Sequence, residues 1–188
     1  MKNLVEITKE KFDVILDLRY ASKNNVCGQK LYNSANCYLH EAAIELLQKA
    51  IKSAKNLGLK IKIFDGFRPL EVQQFMFDKF SANDPEGGFV SNPDGGVIPH
   101  CRGVAVDLTL SDQLGKELDM GTDFDEFSDL AFHNCEKISF EARRNRLILL
   151  GIMTSAGWDF YSKEWWHYQL FNPREYDVVK ASKDLIAI

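Results

Sequence analysis

An aspartate stands in the middle of the most apolar strand that the sequence predicts. The segment Val104–Leu110 alternates apolar residues on one face with Ala105, Asp107 and Thr109 on the other. A carboxylate inside an apolar strand is costly to bury unless a cation accompanies it. The fold must therefore bring a positive charge to Asp107, either a metal ion or a basic side chain.

Two of the four histidines lie where they could meet that carboxylate. His100 follows a Gly/Pro-rich stretch, and Gly103 permits a bend that lets His100 curl back over the polar face of the strand. His167 lies in the aromatic segment Glu164–Phe171, on the face opposite its apolar neighbours. Two histidines and one carboxylate make an open three-ligand zinc set, with the fourth position left for water.

The same residues also admit a purely structural interpretation. Asp107 can pair with a basic side chain, and Arg102 is near in sequence. The segment around Glu164 can be an aromatic core strand. The other two histidines, His40 and His133, are interpreted as surface residues. His40 opens the sequence HEAAI, which lacks the second histidine of a helical HExxH zinc motif.

The rest of the chain predicts helices and strands that alternate without a regular βαβ rhythm. The predicted elements are, in order, a helix over 40–57, a strand over 59–64, a helix over 69–80, a long loop over 81–99, a helix over 139–156 with Ser139 as N-cap, and a surface tail over 172–188. The 188 residues, 1–188, are expected to form one domain.

Composition and charge exclude several classes of protein. Lys plus Arg is 23 and Asp plus Glu is 27, so the net charge of −4 argues against a non-specific nucleic-acid binder. No apolar run reaches the roughly 18 residues of a membrane span. The N-terminal segment is too charged for a signal peptide, so a cytoplasmic location is expected. The four cysteines form no CxxC pair and are expected to be reduced thiols.

Two further groups could act on a substrate beside such a metal. Glu164 lies three residues before His167, where a carboxylate could take a proton from water and pass it to a leaving amine. Arg68, in the DGFRP turn after the predicted strand 59–64, could bind a carboxylate or a developing oxyanion. The alternative is that Asp65 and Arg68 form only a salt bridge within that turn.

Five segments together resemble the D-alanyl-D-alanine dipeptidases, the VanX-like zinc peptidases of peptidase family M15. They extend over about residues 13–170 and are, in chain order, Asp17–Ala21, Asp65–Pro69, His100–Leu110, Leu118–Asp125 and Glu164–Tyr168. The resemblance implies an α+β fold with a central, largely antiparallel sheet, helices outside it and a zinc site in a small cavity.

The resemblance also implies a metal site and a catalytic pair. His100, Asp107 and His167 would hold one Zn²⁺ per chain. Glu164 would act as general base and then general acid. Arg68 would stabilise the tetrahedral oxyanion.

The substrate-binding residues implied by the resemblance are Asp125, Tyr20 and Asp65. Asp125, with Tyr20 nearby, would receive the free amino group of a dipeptide. The chain departs from the family at Ile98, where the family usually has serine two residues before the first zinc histidine. Isoleucine cannot donate a hydrogen bond, so this departure leaves the substrate preference open, while the implied zinc chemistry is unaffected.

The function implied is zinc-dependent hydrolysis of the dipeptide D-Ala-D-Ala, in cell-wall precursor recycling or removal. One alternative is a zinc carboxypeptidase that trims longer muropeptides, and another is a non-catalytic, zinc-stabilised binding module. The expected partner is a small dipeptide, with no nucleic acid and no membrane. The oligomeric state stays open.

Overall fold

A five-stranded sheet lies at the centre of the computed structural model, which describes residues 3–83 and 89–188. The strands, in chain order, are β1 (Leu4–Ile7), β2 (Ile15–Leu16), β3 (Cys37–His40), β4 (Lys60–Asp65), β5 (Ala105–Ser111), β6 (Asp159–Phe160) and β7 (His167–Gln169). The central sheet has the order β2-β4-β5-β7-β6, and β1 pairs with β3. The β2–β4 pair is parallel and the other pairs are antiparallel. The expected α+β fold with a largely antiparallel sheet is confirmed.

In the part of the chain that the structure describes, three of the four helices agree closely with the predicted helical segments. The helices are α1 (Lys9–Phe12), α2 (Glu41–Asn56), α3 (Leu70–Phe80) and α4 (Phe140–Ala156), of which α1 was not predicted. The His40 side chain caps α2 by accepting a hydrogen bond from the Ala42 amide, and Ser139 caps α4 in the same way. Within the described residues, no helix combines the length and the apolar character needed to cross a membrane.

The central strand β5 is buried along its whole length. Val106, Leu108 and Leu110 belong to the main hydrophobic core, together with Leu47 of α2 and Leu149 of α4. Because side chains alternate along a strand, the residues between these apolar ones point to the opposite face. One face of β5 therefore anchors the core, and the other face is free to carry a polar site.

His100 reaches that polar face from a short 3-10 helix, Pro99–Arg102, which immediately precedes β5. Gly103 ends this helix with a positive φ of 70°, and its carbonyl accepts a hydrogen bond from the His40 amide at 2.7 Å. The predicted bend at Gly103 is thus present. Of the long loop predicted over 81–99, residues 84–88 lie outside the described residues.

The last strand is shorter than the sequence predicts. β7 begins at His167, and the residues before it form turns, in which the Glu164 amide donates to the Tyr161 carbonyl and the His167 amide donates to the Glu164 carbonyl. The prediction of a strand from residue 164 is therefore wrong at its start, because the Glu164 amide bonds within the turn and the Trp165 amide donates to the Ala131 carbonyl. The first bond across the sheet is the one that the Trp166 carbonyl accepts from the Leu108 amide of β5. Glu164 is held on this turn beside β7.

His133 is not the solvated residue that the sequence suggested. Its ring contacts the rings of Phe160 and Tyr168, at centroid distances of 5.1 and 6.2 Å. Burial lowers the pKa of His133 to about 4, so the ring is neutral near pH 7. The polar neighbours of His133 in sequence concealed this packing.

The C-terminal segment 172–188, predicted as a surface tail, is tied to the rest of the protein at several places. Ile186 forms a β-bridge with Tyr32, and the Asn33 side-chain amide donates to the Ile186 carbonyl at 2.6 Å. Farther back, the Val179 amide donates to the Cys101 carbonyl at 2.9 Å. The segment thereby braces the loop that carries Tyr32.

Replacing Gly103 should destabilise the protein more than replacing a comparable glycine in open space. A Cβ at position 103 would lie 2.5 Å from the Leu4 side chain and 3.2 Å from the His40 amide nitrogen, at a φ of +70°. Gly58 has nearly the same φ, +71°, but no atom within 4 Å of its Cβ position. We expect Gly103→Ala to lower the free energy of unfolding by about 2–4 kcal/mol and Gly58→Ala by about 1 kcal/mol. Urea denaturation of the two variants measures the difference, and equal losses would contradict it.

Candidate active site

Three buried ligand-type residues converge on one point beside β5. They are His100, Asp107 and His167, whose ligand atoms all lie within 4.8 Å of one another. The pairing of β5 with β7 sets Asp107 directly opposite His167. His100 Nε2 lies 3.3 Å from Asp107 Oδ1 and 3.1 Å from His167 Nδ1, and His167 Nδ1 lies 3.1 Å from Asp107 Oδ1.

This triangle of atoms fits a tetrahedral zinc ion. Zinc bonds of roughly 2.0–2.1 Å at tetrahedral angles require ligand atoms about 3.3 Å apart. The measured separations of 3.1–3.3 Å match that requirement without rearrangement of His100, Asp107 or His167. Two imidazoles and one carboxylate leave a fourth position open, as catalytic zinc sites do.

The outer contacts of the two histidines select the tautomers that a metal needs. His100 Nδ1 lies 2.7 Å from the Gly66 carbonyl, so Nδ1 carries the proton and Nε2 keeps its lone pair. His167 Nε2 lies 3.1 Å from Gln169 Oε1, so that nitrogen donates and Nδ1 faces the centre. Burial opposes ionisation of Asp107, yet the two histidines hold the pKa of its carboxyl well below the usual range. The Asp107 carboxyl is therefore anionic at neutral pH, as a metal ligand must be.

Glu164 lies on the turn before β7, on the wall of the same cavity. Its Oε2 is 3.8 Å from His167 Nδ1, and the residue is only 7% exposed. A carboxylate at that distance is beside the metal position without being one of the three converging ligands. This placement suits proton transfer to and from a reacting group.

Arg68 is the cation of the site, and Asp65 holds it from behind. Arg68 Nε and Nη2 donate to Asp65 Oδ2 at 3.0 and 2.9 Å, and Nη2 lies 3.5 Å from Asp107 Oδ2. Asp65 also accepts from the Tyr32 hydroxyl at 2.8 Å and has no exposed surface. The carboxylate of Asp65, predicted to contact the substrate, lies behind Arg68 and is not among the groups that line the cavity. Asp65 holds the Arg68 guanidinium in position.

Asp125 and Tyr20 form a second polar pair on the cavity wall. The Tyr20 hydroxyl lies 2.9 and 3.1 Å from the two Asp125 carboxylate oxygens. Asp125 has a positive φ of 61°, a conformation that aspartate tolerates better than most residues. Burial raises the pKa of the Asp125 carboxyl to about 7, so it ionises near neutral pH.

These groups open on one cavity of about 760 Å³. That volume is in the usual range for small-molecule sites. The polar wall contains Arg68, Glu164, Asp125 and the metal-ligand set. Ile98, only 4% exposed, contributes an apolar part of the wall.

Three residues that the sequence reasoning did not select also belong to the site. Gln169 orients His167, Tyr32 holds Asp65, and Gln73 bonds to Arg68. Gln169 could have been found, since it shares a strand face with His167. Nothing in the local sequence pattern points to Tyr32 or Gln73, which reach the site only through the fold.

Comparisons with known proteins agree with this geometry. A peptidase M15 family model described as D-ala-D-ala dipeptidase matches residues 1–180. The chain is 37% identical over 167 residues to a D-alanyl-D-alanine dipeptidase of Escherichia coli (strain K12), covering 89% of this chain and 84% of that protein. It is 30% identical over 171 residues to a D-alanyl-D-alanine dipeptidase of Enterococcus faecium, covering 82% and 84%. A solved vancomycin-resistance D,D-pentapeptidase, VanY in complex with Zn(II), aligns with 88% of this chain and 83% of its own at 17% identity. Its TM-score of 0.45 does not by itself equate the two folds.

Removing the Gln169 acceptor should weaken metal binding without removing a ligand. We expect Gln169→Leu to lower zinc affinity about 10- to 100-fold, because His167 loses the hydrogen bond that fixes its tautomer. Gln169→Glu retains an acceptor and should stay near the wild-type affinity. Competition with a chromophoric chelator measures both constants. An unchanged affinity in Gln169→Leu would show that His167 is oriented by its packing alone.

Proposed function

The chain belongs to the D-alanyl-D-alanine dipeptidase family of M15 peptidases, and from that premise we propose that it hydrolyses D-Ala-D-Ala in a zinc-dependent reaction. One observation carries this proposal: two groups of side chains line the same cavity. The first is the set of two imidazoles and one carboxylate that could hold a metal ion, and the second is the Asp125 carboxylate with the Tyr20 hydroxyl bonded to it. A zwitterionic dipeptide presents a carbonyl to the first and an ammonium to the second.

The metal ligands in this proposal are His100, Asp107 and His167. A bound zinc ion supplies a Lewis acid that polarises the peptide carbonyl and lowers the pKa of a coordinated water. Gly66 and Gln169 keep the two imidazoles aimed at the ion through the contacts described above.

In this proposal Glu164 transfers the proton and Arg68 stabilises the negative charge that develops. Glu164 takes a proton from the attacking water and then gives it to the departing amine, which needs a carboxylate beside both atoms. Arg68 meets the negative charge that grows on the carbonyl oxygen. Its guanidinium is already held by Asp65, so little reorganisation is needed during the reaction.

Asp125 sets the length of the substrate in this proposal. Its carboxylate, paired with Tyr20, receives the free amino group at one end of the cavity. A longer peptide would place a neutral amide there and leave the buried carboxylate without a cation, which is unfavourable. Ile98 contributes no hydrogen-bond donor from its side chain, so substrate contacts with that side chain are apolar.

A zinc carboxypeptidase acting on longer muropeptides is the second candidate. The cavity of about 760 Å³ favours it, because such a volume accommodates a ligand of drug size. The buried carboxylate of Asp125 opposes it for the reason above. The third alternative, a non-catalytic zinc-stabilised module, is opposed by Glu164, since a purely structural site closes its fourth position with a protein ligand.

Amine release by the zinc-loaded protein tests these functions directly. The substrates are D-Ala-D-Ala, L-Ala-L-Ala and a tripeptide that ends in D-Ala-D-Ala. Turnover of the D,D-dipeptide alone is the expected result. Faster turnover of the tripeptide would contradict the dipeptidase proposal and support the carboxypeptidase. Full zinc occupancy without turnover of any substrate would support the non-catalytic binding module.

Removal of the proposed base should separate catalysis from metal binding. We expect Glu164→Ala to retain its zinc while kcat for D-Ala-D-Ala falls by about 10²–10⁴-fold. Glu141→Ala, which removes an exposed carboxylate from α4, serves as control and should leave both properties unchanged. Metal analysis and amine release are measured on the same samples. If Glu164→Ala lost zinc and its residual activity followed the metal content, Glu164 would be a ligand.

Substrate affinity should rise with pH through the ionisation of Asp125. Its carboxyl pKa is raised to about 7, so the group is mostly neutral at pH 6 and mostly anionic at pH 7.5. The substrate ammonium, with a pKa of about 8, stays mostly charged over this interval. We expect D-Ala-D-Ala to bind the inactive Glu164→Ala variant about five- to tenfold more tightly at pH 7.5 than at pH 6.

Calorimetric titration at the two pH values measures this change. Asp125→Asn in the same background should bind weakly and with little dependence on pH. A pH dependence that survives in Asp125→Asn would assign the titration to another group.

A further inference from the structure

Gln73 lies in α3 with both ends of its side chain engaged. Its Oε1 accepts a hydrogen bond from Arg68 Nη1 at 3.0 Å, and its Nε2 donates to the Ser91 carbonyl at 2.8 Å. The residue is 3% exposed and lines the cavity. A buried amide with both donor and acceptor in use joins the two groups that it contacts more firmly than either contact alone would.

One of these groups is the guanidinium of Arg68. Asp65 binds it through Nε and Nη2, while Gln73 binds Nη1 from another side. The guanidinium also lies over the Tyr20 ring, with its central carbon 5.0 Å from the ring centroid. Since a guanidinium is planar, contacts at separate nitrogens define the direction of every N–H bond. Gln73 fixes the direction of the Nη1 end.

The other group belongs to the cavity wall that residues 89–97 form. Besides Ser91, this wall segment is anchored by Arg102, whose Nε donates to the Val97 carbonyl at 2.9 Å, and by Arg174, whose Nη2 donates to the Gly95 carbonyl at 2.9 Å. Those two hydrogen bonds connect the wall segment to Arg102 and Arg174, which are not among the proposed catalytic groups. The hydrogen bond to Gln73 connects it to Arg68, which is one of them.

We propose that Gln73 is a positioning residue that couples wall segment 89–97 to the orientation of Arg68. The Gln73 side chain holds both the wall segment, through Ser91, and the Arg68 guanidinium. A displacement of the wall segment therefore frees the guanidinium to reorient, and the reverse also holds. The activity part of this proposal rests on the proposed role of Arg68 in oxyanion stabilisation. The coupling itself is a property of the folded protein and exists without substrate.

The test compares Gln73→Leu with Gln74→Leu, which removes the neighbouring, exposed glutamine that bonds only within α3, to Asp78. We expect Gln73→Leu to lower kcat for D-Ala-D-Ala about 10- to 100-fold, with an unchanged zinc content and a smaller change in KM. Gln74→Leu should stay within twofold of the wild type. A Gln73→Leu variant that also stays within twofold would overturn the proposal.

A double-mutant cycle asks whether Gln73 acts through Arg68. Arg68→Ala removes the guanidinium, so adding Gln73→Leu to it should produce no further loss of kcat. A second loss as large as that seen in the wild-type background would mean that Gln73 acts independently of Arg68, and the proposal would be wrong.

Hydrogen exchange tests the coupling without turnover. Both Gln73→Leu and Arg68→Ala should speed amide exchange in residues 89–97, because coupling is reciprocal, whereas Gln74→Leu should not. Unchanged exchange in Arg68→Ala would overturn the coupling even if the enzyme is active. An inactive wild-type protein with the expected exchange pattern would instead refute the proposed function and leave the coupling intact.

Discussion

The buried carboxylate of Asp107 is the constraint to which the rest of the site responds. It lies on the central strand, where the opposite face of β5 holds the hydrophobic core, so it cannot move to water without disrupting that core. An unpaired charge in such a position is strongly unfavourable. His100, His167 and Arg68 all approach it within 3.5 Å. The central strand thereby dictates where a metal can bind.

The charges around the cavity do not balance within the described residues that form it. Asp65, Asp107, Asp125 and Glu164 are buried carboxylates, and Arg68 is the buried guanidinium among them. A divalent cation would offset much of this excess, and in the proposed reaction the ammonium of a dipeptide beside Asp125 would offset more. Burial raises the pKa of the Asp125 carboxyl and the nearby carboxylates Asp107 and Asp65 raise it further, whereas the adjacent imidazoles keep Asp107 ionised. The site is built for cationic ligands at two separate points.

The predictions made from short-range patterns agree with the structure where the pattern alone decides the outcome. The sequence located α2 and α4, and the predicted N-cap Ser139 follows from its side-chain chemistry. The capping of α2 by His40 was not predicted and is a finding of the structure. The patterns failed where distant contacts compete with local preference. Aromatic residues from Glu164 onward favour a strand, yet β7 begins only at His167, because the Glu164 amide bonds to the Tyr161 carbonyl within a turn. His133 looked polar in sequence, but it packs against rings that the chain brings from elsewhere.

The sequence by itself determined which residues are candidates for the site. A carboxylate in an apolar strand must meet a cation, and residue type and spacing left both a metal ion and a basic side chain open for Asp107. The resemblance of five segments to the zinc dipeptidases then indicated His100, Asp107 and His167 as the ligand set. Only the tertiary structure decided how those groups are oriented. It placed Asp65 behind Arg68, Gln169 against His167 and Gln73 between Arg68 and the cavity wall. The physical reason is the distance along the chain over which each property is set. The ability of a side chain to bind a metal depends on its own chemistry, which the sequence shows directly. Its hydrogen-bond partner depends on which second polar group the packing of the whole chain brings next to it.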